Sequence, residues 1–324
     1  MDYKKLGRTG LKVSPLCMGT MQFGWSVNES DTHKILSATL DAGINFIDTA
    51  DVYSKWVVGN PGGVSETFIG NWMKQNKIPR DQIVLATKVR GEMGKGPNDQ
   101  GLSRVHIVNA VEASLRRLQT DYIDLYQSHW TDDDTPVEET LRAFDDLLKQ
   151  GKVRYAGASN YAAWELMQAL WTSDKNNLVR YDSIQPHYNL LHRDEFEREL
   201  RAVCVSYGIA VIPYSPLAGG FLTGKYRKNA PLPESKRAEG RKREMTDKNF
   251  ALIDEMEVIA LRHEATISQI ALAWMLADPI ITSPIIGATS IEQLEENLGS
   301  LKVKLGEDEI ASLNKLTAWT DADE

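Results

Sequence analysis

GINFIDTADVY, residues 43–53, holds the transition around which the chain is organised. After a glycine breaker comes a short apolar run, Ile44, Phe46 and Ile47, too brief for a helix and suited to a buried β-strand. The run stops in acid. Asp48 falls where a buried strand emerges, and Tyr53 lies in the loop that leads to the next helix. A carboxylate and a phenol so placed can form a proton-transfer pair. An aspartate ending a strand is also a common cap or turn former, so the rest of the chain has to decide.

Outward from this stretch the pattern alternates. The N-terminal YKKLGRTGLKVSPLCMGT reads as a hairpin around Arg8-Thr9-Gly10 that leads into a first apolar strand near Leu16–Gly19. Helices are expected over Asp31–Ala42, capped by Ser30 or Asp31, and over Ser65–Lys77. The strand IVLATK ends at Lys88. Ser103 then caps a helix whose Val105, Val108, Val111, Leu115 and Leu118 recur every three or four residues. The strand YIDLYQSH ends at His129, and the helix Val137–Lys149 stops at Gly151.

VRYAGAS, a helix over Ala162–Trp171, the strand DSIQPHYN, a helix over Glu195–Tyr207 and the strand IAVIPYS follow. Residues 216–244 are irregular. A helix over Lys248–Arg262 precedes one opened by the capping box Thr266/Gln269, with Ile267, Ile270, Ala271 and Trp274 on one face. PIIGA, a helix opened by Ser290 and a last helix over Asp308–Lys315 complete the series.

Eight strand-helix units call for a parallel sheet, because parallel neighbours need crossover connections. Their number suits a (β/α)8 TIM barrel, here with an N-terminal β-hairpin and extra C-terminal helices, forming one domain over residues 1–324. A doubly wound sheet usually carries GxGxxG after its first strand, whereas this first turn reads GTMQFGW.

Composition narrows the function. With 324 residues, 42% hydrophobic and 25% charged, the chain can bury a large core, and a net charge of −8 argues against nucleic acid as the main partner. Cys17 and Cys204 make no disulfide framework. No secretory h-region follows Met1 and no apolar run has the length of a membrane span, so a cytoplasmic protein without a membrane partner is expected. CxxC, HExxH, EF-hand and P-loop patterns are absent, and His33, His106, His187, His192 and His263 lack partners at metal-ligand spacing, so no metal is expected.

A barrel gathers its C-terminal strand ends on one face, where catalytic groups collect. Asp48, Lys88 and His129 then converge on the loop carrying Tyr53. A phenol with a free pKa of about 10 needs a nearby cation to favour its phenolate, which Lys88 can supply while Asp48 holds it charged. A neutral His129 can donate a hydrogen bond to a carbonyl. Taken singly, each has a structural alternative, such as half of an ion pair or a satisfied strand-end histidine.

With these segments in place the chain resembles the aldo-keto reductases along nearly its whole length. The matching stretches are GINFIDTADVY, ATK to Lys88, DLYQSHW around His129, GASN at 157–160, YSPLAGGFLTGKY at 214–226 and IIGATSIEQLEENL at 285–298. The later ones are most similar to the branch containing potassium-channel β subunits and related bacterial reductases. The resemblance implies an NADPH-dependent reductase of aldehydes or ketones, with Tyr53 as general acid, Lys88 and Asp48 tuning it and His129 orienting the carbonyl.

The resemblance also implies the cofactor contacts. Tyr214 would stack on the nicotinamide, Ser159, Asn160 and Gln185 would bind its carboxamide, and Gly19, Thr20, Met21, Asp48, Ser215, Pro216, Leu217 and Gly219 would line its site. Lys225 would meet the pyrophosphate and Arg237 the 2′-phosphate, within a segment, Lys225 to Arg243, that carries a net +6. Lys236 and Arg241 are near alternatives to Arg237. The eighth strand end would add Gly287, Thr289, Gln293, Glu296 and Asn297, with Ser290 and Gln293 also satisfying a capping box. Many reductases of the family carry Lys and Arg where this chain has Gly287 and Gln293; the channel-β-like branch instead puts its basic residue in the preceding loop.

Trp25, Trp56 and Trp130 fall in loops on the same face, as an apolar substrate cup or as packing beneath a loop. The rival function from another class is a cofactor-binding sensor or auxiliary subunit with slow turnover. The sequence is compatible with a monomer and with a homo-oligomer.

Overall fold

The computed structural model describes residues 1–234 and 237–319. Lys236, one of the basic residues of the loop, lies outside them. A short antiparallel pair, β1 (Lys4–Lys5) and β2 (Lys12–Val13), opens the chain. Eight parallel strands follow, namely β3 (Cys17–Gly19), β4 (Phe46–Asp48), β5 (Val84–Val89), β6 (Ile123–Ser128), β7 (Val153–Ser159), β8 (Tyr181–Gln185), β9 (Ala210–Val211) and β10 (Ile285–Gly287). Neighbours run β10-β3-β4-β5-β6-β7-β8-β9. Main-chain bonds from Thr282 N to Val211 O (2.8 Å) and from Ile285 N to Pro213 O (2.8 Å) join the two edges, giving the expected (β/α)8 arrangement.

The helices are α1 (Glu29–Asp41), α2 (Val64–Gln75), α3 (Arg104–Leu118), α4 (Val137–Lys149), α5 (Ala163–Asn176), α6 (Arg201–Tyr207), α7 (Asp247–Arg262), α8 (Ile267–Ala277), α9 (Ile291–Gly299) and α10 (Glu307–Leu316). Ser103, Thr266 with Gln269, and Ser290 cap α3, α8 and α9 as read. Other readings are corrected. Asn28, not Ser30 or Asp31, caps α1, because its side chain accepts from Asp31 N and lets the helix begin at Glu29. Val105 of α3 is exposed; the face that packs inward carries Ile107, Val111, Leu115 and Leu118. α5 runs on past Trp171 to Asn176. β8 stops at Gln185, before Pro186, whose missing N–H cannot extend a ladder. The expected helix over Glu195–Tyr207 begins instead with a π turn, Phe196–Leu200.

Period-two alternation sorts the strand residues. Outward side chains such as Ile47, Leu85 and Tyr126 join the layer of the core packed under the helices. Inward ones, Cys17, Phe46, Val84, Ala86, Leu125 and Ala210, meet Leu6 and Val13, so the hairpin closes the N-terminal end of the barrel. One inward step further along, the apolar layer gives way to Asp48, Lys88, Gln127, Ser159 and Gln185, all buried. Gly157 belongs to that layer because it has no Cβ: one built there would lie 2.4 Å from Ser183 Oγ and 3.2 Å from Gln127 Cγ. The polar layer lies at the C-terminal strand ends, where barrel enzymes place their chemistry.

Candidate active site

Lys88 is fully buried and its ammonium meets three acceptors: Asp48 Oδ2 at 2.6 Å, Thr49 O at 2.8 Å and Tyr53 OH at 2.9 Å. Three donors and three acceptors leave nothing unpaired. Burial opposes the charge, but attraction to Asp48 and Tyr53 outweighs it and holds the Lys88 pKa above its ordinary value. The other carboxylate oxygen, Asp48 Oδ1, accepts from Gln127 Nε2 at 3.1 Å and Gln185 Nε2 at 2.9 Å.

Tyr53 accepts from Lys88, so its own proton is left for another partner. Burial raises its pKa above the ordinary phenol value and Lys88 only partly offsets this. The cation does favour the phenolate, but desolvation outweighs it, and the hydroxyl stays protonated at neutral pH. His129 is buried, with its pKa held well below the ordinary histidine value by desolvation and by the charges of Lys88 and Arg90. Its Nδ1 has no hydrogen-bond partner among the described residues. Its ring lies 5.9 Å from that of Tyr53.

The three tryptophans gather at this mouth. Trp130 stacks on His129 at 3.8 Å, while Trp56 packs edge-on against both Tyr53 (6.3 Å) and Trp25 (5.9 Å). Trp56 and Trp130 are 48% and 41% exposed, open enough to meet a ligand.

The residues expected at a nicotinamide are also brought together. Ser159 Oγ donates to Gln185 O (2.9 Å), Asn160 Nδ2 donates to His129 O (2.9 Å), and Tyr214 OH donates to Asn160 Oδ1 (2.9 Å). One face of Tyr214 stacks on His187 at 5.1 Å. Asn160 and Ser215 take left-handed backbone (φ 57° and 56°), an unusual conformation for such residues and one that collects at rims of functional sites.

After β9, Gly219 and Gly220 turn with φ of 62° and 97°. A Cβ at Gly219 would lie 3.2 Å from the Arg241 guanidinium and one at Gly220 would lie 3.0 Å from Lys225 Nζ. Arg237 stands over the Trp25 ring at 5.4 Å. Burial and repulsion by Arg241 lower its pKa, and burial with repulsion by Arg237 lowers that of Lys225. A cluster of cations that strains its own charges around a glycine turn suits an anion such as a cofactor phosphate.

The remaining expected contacts have work inside the fold. Thr20 Oγ1 donates to Asp48 O and accepts from Ser65. Gly19 lets β10 approach, since a Cβ there would meet Ile285 at 2.5 Å. Gln293 Oε1 accepts from Thr289 N and Oγ1, Glu296 from Thr266 at the α8 cap, and Asn297 donates to Gly287 O. Met21 is exposed, Pro216 buried and Leu217 half-buried. Sequence reasoning missed Gln127 and Gln22, the latter bridging Gly19 O and Ala288 O at 2.9 Å each. The signal for Gln127 was a polar residue two positions after Leu125 and two before His129, on the same face of the strand.

The barrel thus brings a lysine, a tyrosine, a histidine and an aspartate to its mouth beside a basic glycine turn. The comparisons name the family: the profile of the aldo/keto reductase family matches residues 15–318, and the chain belongs to that family. It is 39% identical over 321 residues to the uncharacterized oxidoreductase YrpG of Bacillus subtilis, covering 98% of this chain and 96% of that protein. A probable voltage-gated potassium channel subunit beta of Arabidopsis thaliana is 37% identical over 309 residues, 94% of this chain and 92% of its own. Versiconal hemiacetal acetate reductase of Aspergillus parasiticus is 35% identical over 342 aligned positions, 97% and 96% of the two chains. The protein is accordingly an NAD(P)H-dependent oxidoreductase. No helix among the described residues is long and apolar enough to cross a membrane, and no group of three or more His, Cys, Asp or Glu among them is arranged to hold a metal ion.

Proposed function

We propose that the protein reduces an aldehyde or ketone to the alcohol with NADPH, Tyr53 being the general acid. The observation that carries this is the orientation of the Lys88 hydrogen bond. Because the ammonium can only donate, Tyr53 OH must accept, and its proton is free for a substrate oxygen. An acid is needed there because a carbonyl oxygen gains negative charge as hydride reaches its carbon. The dihydronicotinamide supplies that hydride when bound. Once Tyr53 has given up its proton, the phenolate faces Lys88 at 2.9 Å, and Asp48 keeps the cation in place. Neutral His129 carries one N–H. With Nδ1 buried and partnerless, the proton belongs on Nε2, since a buried donor without an acceptor is the worse orphan, and Nε2–H can donate to the same oxygen.

Ser159, Asn160, Gln185 and Tyr214 would hold the nicotinamide end, and Lys225, Arg237 and Gly219 the phosphates, with Gly287 and Asn297 at the strand-ten rim. Trp25, Trp56 and Trp130 would wall the carbonyl substrate.

The test is aldehyde reduction with Tyr53→Phe. We expect kcat to fall by about 10²–10⁴ while NADPH affinity stays near wild type, because the lost hydroxyl acts on the substrate. Retention of most of kcat would overturn the assignment. Arg237→Ala should raise KM for NADPH about ten- to a hundredfold and leave KM for NADH nearly unchanged, whereas Lys225→Ala should weaken both. Equal weakening of both cofactors by Arg237→Ala would remove the 2′-phosphate from that residue.

A further inference from the structure

We infer that Gln127 is a positioning residue for the reaction, fixing both the Asp48 carboxylate and the carboxamide of Gln185; the inference rests on the proposed reading of the site. Gln127 is fully buried on β6, in register with Lys88 on one side and Gly157 on the other. Its Nε2 donates to Asp48 Oδ1 at 3.1 Å, and its Oε1 accepts from Gln185 Nε2 at 3.4 Å. The amide orientations follow from the contacts. A flipped Gln127 would set its oxygen against a carboxylate oxygen and its NH₂ against the NH₂ of Gln185.

Gln185 then spends one N–H on Asp48 at 2.9 Å and the other on Gln127. Its carbonyl oxygen is the polar atom left over, an acceptor for an N–H donor such as the carboxamide of the cofactor. The chain of hydrogen bonds Gln127–Gln185–Asp48–Lys88–Tyr53 therefore runs from the expected nicotinamide end to the acid. The fold makes room for Gln127 on its other side. Gly157 lacks the Cβ that would come within 3.2 Å of Gln127 Cγ, so the neighbouring strand leaves this side chain its place.

The titratable groups around this carboxylate are Lys88 on β5, Tyr53 on the loop after β4 and Cys17 on β3. His129 feels the charges of Lys88 and Arg90, and Tyr214, on the loop after β9, interacts with Tyr53. Removing a donor from Asp48 Oδ1 leaves the carboxylate less firmly placed, which weakens its hold on Lys88 and through it on Tyr53.

The experiment is the pH dependence of kcat and kcat/KM for aldehyde reduction by Gln127→Leu and Gln127→Glu, with thermal unfolding as a check that each folds. For Gln127→Leu we expect kcat to fall about tenfold and the alkaline limb to move to higher pH, because a loosened Lys88 lowers the Tyr53 pKa less. In Gln127→Glu the introduced carboxyl can donate to Asp48 only while protonated, so the variant should keep activity at low pH and lose it as pH rises, well below the alkaline limb of wild type. Wild-type rates and limbs in both folded variants would overturn the inference. Tyr53→Phe in the same assay separates the failures. If it is inactive while the Gln127 variants are normal, the inference alone is wrong; if it is active, the reading of the site falls and the inference with it.

Discussion

Asp48 and Asp51 stand three residues apart in one stretch of chain, both buried, and the protein treats them oppositely. Asp48 receives Lys88, Gln127 and Gln185 on its two oxygens. Asp51 has no hydrogen-bond partner on either oxygen among the described residues. Burial, with repulsion from Glu66, raises the Asp51 pKa well above the carboxylate range, and Arg117, the Val52 main chain and Lys88 offset this only in part. Arg117 is committed elsewhere, with Nε 2.6 Å from Glu66 Oε2. Asp51 instead borders a cavity of about 150 Å³ shared with Met93, His106 and Arg117. One carboxyl faces the barrel interior and is clamped beside a cation; the other faces the helix layer, where burial favours its neutral form. What separates them is position: Asp48 ends β4 facing the polar inner layer, whereas Asp51 lies in the turn beyond the strand, against α3 and the Glu66–Arg117 pair.

The difference can be broken most severely at the inner site. Asp48→Asn removes the counter-charge of a fully buried lysine, and we expect kcat to fall at least about a hundredfold. Asp51→Asn, a neutral isostere of a neutral acid, should keep kcat within about threefold. Parallel steady-state assays decide. Equal losses in the two variants would erase the distinction.

A smaller effect sharpens it. The raised folded pKa of Asp51 means that above an unfolded value of about 3.9 the unfolded chain releases a proton that the folded chain keeps, so stability falls as pH rises. An asparagine avoids this penalty. Asp51→Asn should raise Tm by roughly 2–5 °C at neutral pH, with the gain shrinking towards pH about 4. Scanning calorimetry across pH would show it. A lowered Tm, or a gain that grows in acid, would contradict a protonated Asp51.

This contrast also marks what the sequence could yield. Strand rhythm and glycine breaks placed Asp48, Lys88 and His129 at adjacent strand ends, because a parallel barrel converts order along the chain into neighbourhood in space. The helix caps at Ser103, Thr266 and Ser290 were legible because capping is a local contact. Asp51 was passed over although it lies inside the very stretch that opened the reading. Its burial depends on α2, α3 and the loop over residues 90–101, which no local pattern encodes. Gln127 escaped for a related reason: its partners Asp48 and Gln185 are 79 and 58 positions away. Glu296, read through a resemblance as a cofactor contact, has a partner, Thr266, that only coordinates reveal, whereas the local role of Gln293 at the start of α9 was already legible as a capping box. Residues whose role comes from strand order were readable, whereas those whose role comes from side-chain register across the barrel were not.

The central claim is that Lys88, held by Asp48, tunes the proton that Tyr53 delivers, and the pH profile of Lys88→Met tests it most directly. The cation lowers the Tyr53 pKa against the pull of burial, so its removal should raise that pKa further. We predict a kcat depressed by roughly two orders of magnitude or more and an alkaline limb displaced to higher pH. A variant with a normal rate and an unchanged profile would contradict the account.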